Sequence, residues 1–125
     1  MTRKVISTDK APKAIGPYSQ AILSNDLLFV SGQLGIDPAK GALVEGIEAQ
    51  TKQVMENLRN ILQASGMGFE NVLKTTIYVT DLGNFKTVNE IYGSVFKSEP
   101  PARATVQVCA LPLKGLVEMD MVARK

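Results

Sequence analysis

The sequence predicts an α+β fold, a mixed β-sheet with two helices packed on one of its faces. Three observations carry that expectation. Apolar and β-branched runs of strand length recur along the chain, two stretches repeat apolar residues at helical steps, and no repeat, low-complexity tract or linker interrupts them. A length of 125 residues, 45% of them hydrophobic, suits a single domain over 1–125 with a packed core.

In chain order, "RKVIS" (3–7) reads as a short strand. "YSQAIL" (18–23) and "LLFVSG" (27–32) flank the compact turn signal "SND" and read as a hairpin. "GIDPAKGALVEG" (35–46), with its Asp-Pro pair and glycines, reads as loop. The spacing of Ile47, Val54, Leu58, Ile61 and Leu62 predicts a helix over 47–65, and Gly66 falls where a C-terminal glycine cap belongs. "VLKTTIYVT" (72–80) is strand-like. Asn84 is placed to cap a second helix carrying Phe85, Val88, Ile91, Tyr92, Val95 and Phe96 on one face, which "SEPPAR" terminates.

Two last strands, 103–110 and 116–124, are joined by "LPLKG" and read as a hairpin. In the final strand Val117, Met119, Met121 and Ala123 share one side, while Leu116 and Val122 fall on the other. Helices on one side of the sheet leave the second, partly apolar face uncovered, which predicts self-association.

Composition narrows the chemistry. The chain has no histidine, which removes Ser-His-Asp and Cys-His nucleophiles, histidine-ligated metals and histidine acid/base catalysis. A net charge of +2 without like-charge runs supplies no field for capturing nucleic acid or an anionic membrane. One cysteine excludes an intrachain disulfide. The first sixteen residues lack the apolar run of a signal peptide, and no stretch reaches membrane-spanning length, so a cytoplasmic protein is expected. Phosphate-loop, CxxC and EF-hand patterns are absent, and "GMGFEN" follows a helix and reads as its stop.

The polar residues that remain lie around "PARATVQVCALP" (101–112) and "VEMD" (117–120). Cys109 reads as a small buried hydrophobe, since no histidine can activate it and Arg103 lies about 20 Å away along one strand. Glu118 and Asp120, in contrast, share a face of an otherwise apolar strand, where carboxylates are costly unless paired or used. A hairpin turn centred near Leu111–Pro112 sets Arg103 opposite Asp120 and gathers an arginine–carboxylate cluster. A turn centred on Leu113–Lys114 sets Cys109 opposite Glu118 and gathers none. The sequence leaves both registers open. A guanidinium fork beside a partly desolvated glutamate suits hydration of an electrophilic carbon next to a carboxylate.

Four blocks, "AIGPYSQA" (14–21), "FVSGQLGID" (29–37), "TTIYVTDLGNFKTVNEIY" (75–92) and "PPARATVQVCALP…VEMDMVA" (100–123), resemble the Rid, or YjgF, family of enamine/imine deaminases almost end to end. The resemblance implies a chorismate-mutase-like fold, a homotrimer with a barrel-like core, and sites in the clefts between subunits. It implies hydrolysis of reactive 2-enamino and 2-imino acids to 2-oxo acids and ammonia, with no cofactor and no metal. By motif, Arg103 would bind the substrate carboxylate and Glu118 would position or activate the attacking water. Tyr18 and Ser31 would line the cleft, and Asn89 matches a recurrent position. Many deaminating members carry cysteine two residues after the arginine; here the residue is Thr105, which can still hydrogen-bond. Two other functions compete: a non-catalytic sensor of small carboxylates such as 2-oxo acids, and a translation inhibitor or ribonuclease, against which the near-neutral charge and missing histidine weigh.

Overall fold

The computed structural model describes residues 3–125. Its strands are β1 (Arg3–Ile6), β2 (Ala21–Ser24), β3 (Leu27–Leu34), β4 (Ile36–Asp37), β5 (Ala42–Leu43), β6 (Val72–Val79), β7 (Ala102–Gln107) and β8 (Val117–Arg124). The helices are α1 (Ile47–Ala64) and α2 (Phe85–Gly93). Six strands form one mixed sheet in the order β1-β2-β3-β8-β6-β7, and β4 pairs with β5 in a small ribbon inside the segment read as loop.

The predicted hairpin over 18–32 is present, with Ser24 paired to Leu27 across Asn25 and Asp26. The second predicted hairpin is not. β7 runs parallel to β6, and β8 lies antiparallel between β3 and β6, so neither proposed register of 103–110 against 116–124 exists. The reason is the crossover: β6, α2 and β7 form a βαβ unit, which brings β7 to the far edge of β6 and parallel to it. A 3-10 turn over Pro112–Lys114, with Leu113 and Lys114 at positive φ, carries the chain back to β8.

Three local expectations are also corrected. Cys109 lies beyond the end of β7 and is exposed, because the strand stops at Gln107 rather than 110. Asn84 makes no side-chain cap; instead Asp81 accepts from the Gly83 N–H and opens a 3-10 turn that leads into α2. The helix α2 ends at Gly93, although Val95 and Phe96 still pack on the core. The α1 terminus, in contrast, follows the glycine-cap expectation. Gly66 sits at φ +74°, its N–H donates to Gln63 O, and the Met67 N–H donates to Leu62 O, a Schellman arrangement.

Both helices cover one face of the sheet. Val54, Leu58, Ile61 and Leu62 of α1 and Val88 and Tyr92 of α2 are buried with Val117, Met119, Met121, Ala123, Ile77 and Val79. On the opposite face Val5, Phe29 and Val106 are exposed, and Glu118, Asp120 and Val122 are half-buried. Buried amides tie α1 to the sheet. Asn57 Nδ2 donates to the carbonyls of Leu34 and Ile36, and Gln50 Oε1 accepts from the Leu116 N–H. Removing either partner strands a desolvated polar group.

At Gly35, between β3 and β4, the backbone packs directly on α1, since a Cβ there would meet Gln50 Cα at 2.7 Å and its carbonyl oxygen at 2.8 Å. These are backbone atoms that cannot swing aside. Gly35→Ala is therefore expected to destabilise the fold by about 1–3 kcal/mol, read as a lower midpoint in urea denaturation.

Candidate functional site

The residues picked out by sequence fall into two groups on opposite faces of the sheet. Arg103 pairs with Thr75 and Thr105 with Ile77 across the β6–β7 ladder, so both side chains point toward the helices. Glu118 pairs with Tyr78 and Leu34 and points to the uncovered face. With β6 between their strands and a three-residue offset, the two Cα atoms lie on the order of 14 Å apart. One chain does not bring Arg103 and Glu118 together.

The first group is built on the rim formed by β7 and α2. Arg103 Nη1 donates to Asn89 Oδ1 at 2.7 Å. Its guanidinium carbon lies 5.6 Å from the Phe85 ring centroid and 5.2 Å from that of Tyr92. Among the described residues no carboxylate pairs with it, so its charge is held by a neutral amide and two ring faces. Tyr92 is anchored in turn, its hydroxyl donating to Thr75 Oγ1 at 2.9 Å. Burial pushes the Tyr92 phenol above its ordinary pKa, against the lowering effects of Thr75 and the Arg103 charge. The Thr105 hydroxyl, on the same side of β7 as Arg103, is shielded from solvent and has no hydrogen-bond partner among the described residues.

The second group surrounds Glu118. A Cβ on Gly32 would fall 2.7 Å from Glu118 Oε1, so the carboxylate lies directly against the glycine backbone where β3 changes register between Val30 and Gln33. Desolvation raises the Glu118 pKa, and the negative charge of Asp120 on the same face raises it further. Asp120 is itself tied down, accepting from the Tyr78 hydroxyl at 3.1 Å.

Tyr18 and Ser31 meet nearby in an open cavity of about 480 Å³ on the uncovered side, with Phe29, Ile22 and Arg3 in its wall. The Ser31 hydroxyl donates to Ser19 O at 2.6 Å and the Ser31 N–H donates to Gln20 O. Ser31 thus holds the loop that presents Tyr18, which is 51% exposed. Gln20 fixes the rest of that loop, accepting from the Thr8 N–H and donating to Pro12 O.

Sequence reasoning missed the two rings over Arg103. Phe85, Asn89 and Tyr92 stand at i, i+4 and i+7, one face of α2, and that spacing was the available signal.

A family model described as Endoribonuclease L-PSP matches residues 8–125. Over 98% of this chain and 90% of that protein, the sequence is 51% identical to 2-iminobutanoate/2-iminopropanoate deaminase of Homo sapiens. The fold is similar to crystal structures of RidA from an Antarctic Psychrobacter (TM-score 0.95, 43% identity, 98% and 99% of the two chains) and of E. coli TdcF with bound serine (TM-score 0.94, 34% identity, 98% of each).

Gly32→Ala should displace the Glu118 carboxylate while leaving the fold intact, because the atoms in the way end a flexible side chain. Where the Glu118 carboxylate takes part in the reaction, the expected outcome is a loss of activity of about tenfold or more, with a melting temperature within a few degrees of the parent.

Proposed function

The chain belongs to the Endoribonuclease L-PSP family, the Rid or YjgF family its motifs resemble, and from that membership we propose that it hydrolyses reactive 2-enamino and 2-imino acids to 2-oxo acids and ammonia. The observation that carries the reading is the unneutralised Arg103 guanidinium, held in place yet without a carboxylate partner among the described residues. It is matched by a glutamate whose pKa is raised by desolvation and by the charge of Asp120, which strengthens it as a proton acceptor.

Arg103 anchors the substrate carboxylate through its remaining N–H donors. Glu118 takes a proton from water as the water oxygen adds to the iminium carbon. The same proton then passes to the nitrogen of the carbinolamine, the C–N bond breaks and ammonia departs, while Glu118, again ionised, takes the hydroxyl proton as the carbonyl forms and passes it to the leaving ammonia. Thr105 supplies its unpaired hydroxyl beside Arg103, and Tyr18, placed by Ser31, closes the cleft. Asn89 acts through Arg103 rather than on the substrate. These steps draw on no metal or cofactor.

The two groups are joined across copies of the chain. Arg103 stands on the outermost strand of the sheet, and Glu118 stands on the uncovered face, whose exposed Val5, Phe29 and Val106 are stabilised by burial against another subunit. We assign the assembly as a homotrimer with a barrel-like core, and the protein to the cytoplasm. A ribonuclease reading gains nothing from the residues, which include no histidine and carry a net charge of only +2.

The test generates 2-aminoacrylate or 2-iminobutanoate in situ with a dehydratase and follows imine loss. The protein should accelerate it, and Arg103→Ala and Glu118→Gln should each lower kcat/KM by about 10²-fold or more. No acceleration by the parent overturns the reading, and binding of 2-oxobutanoate without turnover indicates a sensor instead. Because Glu118 works ionised, the rate should rise with pH through a limb above the ordinary glutamate range. Asp120→Asn removes one cause of the raised pKa and should move that limb to lower pH.

A further inference from the structure

We propose that Phe85 and Tyr92 are positioning residues for substrate anchoring, fixing the plane of the Arg103 guanidinium so that its free N–H donors are presented as a rigid fork. The proposal rests on the carboxylate-anchoring role just assigned to Arg103. An exposed arginine on an edge strand ordinarily samples many rotamers, and ordering it at the moment of binding weakens affinity. Here three contacts remove that freedom beforehand. The Asn89 amide oxygen takes one of five N–H donors, and two ring faces approach the guanidinium carbon to 5.6 and 5.2 Å.

The contacts are graded from the core outward. Tyr92 is 3% exposed and its hydroxyl is bonded to Thr75, which is fully buried, so this ring belongs to the rigid interior. Phe85 is 38% exposed and begins α2, where its ring bears on the rim beside Arg103. A ring face also suits this role better than a carboxylate would. It attracts the cation without occupying the hydrogen-bonding edge or cancelling the charge that the substrate carboxylate must meet. The ring of Phe85 therefore serves the arginine more than the core, to which its exposure makes it a poor contributor.

The substitution Phe85→Leu keeps apolar bulk and removes the π face; Phe85→Tyr keeps the face. In the full-length protein, Phe85→Leu should raise KM for a 2-imino acid about three- to tenfold, with kcat within twofold. Phe85→Tyr, which keeps the ring face, should restore the parent KM. An imine lacking the carboxylate should be hydrolysed equally by Phe85→Leu and the parent, which a general structural defect would not allow. An unchanged KM in Phe85→Leu, or equal losses on both substrates, overturns the proposal. A reading independent of turnover is the Arg103 side-chain N–H resonance. It should be displaced by ring currents in the ligand-free parent and move toward the free-arginine position in Phe85→Leu. If it already stands at the free position in the parent, the rings do not hold the guanidinium. If the parent fails to act on imines yet the resonance moves as expected, the deaminase reading fails while the positioning of Arg103 stands.

Discussion

Side chains along a β-strand alternate between two faces, and this alternation, with β6 lying between β7 and β8, separates the Arg103 guanidinium from the Glu118 carboxylate within one chain. Much else follows from that separation. A one-residue slip of β8 would turn Val117, Met119, Met121 and Ala123 out of the core and Glu118 into it. The register that packs the helices therefore also sends the carboxylates to the uncovered face. Chemistry that needs an arginine and a glutamate together must then recruit the glutamate of another copy, and the same face that carries Glu118 carries the exposed apolar residues that favour such contact.

The two groups are prepared by different physics. Arg103 is held by neutral partners, an amide oxygen and two rings, so no carboxylate offsets its charge among the described residues. Glu118 is made reluctant to ionise by desolvation and by Asp120, which suits its proposed role of accepting a proton and returning it within one reaction. Gly32 contributes by what it lacks, since only a residue without a side chain leaves room for the carboxylate against β3.

Much of this was legible in the sequence. Helix periodicity located α1 and α2, overrunning the end of α2 by about a turn, the Ser24–Leu27 turn was readable, and the alternation in 117–124 placed Glu118 and Asp120 on one face. What failed was long-range pairing. Two consecutive strands joined by a short turn look like a hairpin, and nothing local in "LPLKG" says that β6 stands between them. Cys109 was misplaced for a related reason: the apolar run continues past Gln107, but the chain has already left the sheet. Phe85 and Tyr92 were read only as apolar residues on one helix face, because periodicity reports which face residues share, not which cation lies over that face.

In the proposed assembly each site takes its arginine from one copy and its glutamate from another, so two inactive proteins, Arg103→Ala and Glu118→Gln, should complement each other when mixed under conditions that exchange subunits. In a randomly mixed assembly about a quarter of the sites would hold both native residues, so activity should return to roughly that fraction of the parent rate. If mass spectrometry shows mixed assemblies while imine hydrolysis stays at the level of the two separate variants, the site is not shared between copies and the account is wrong.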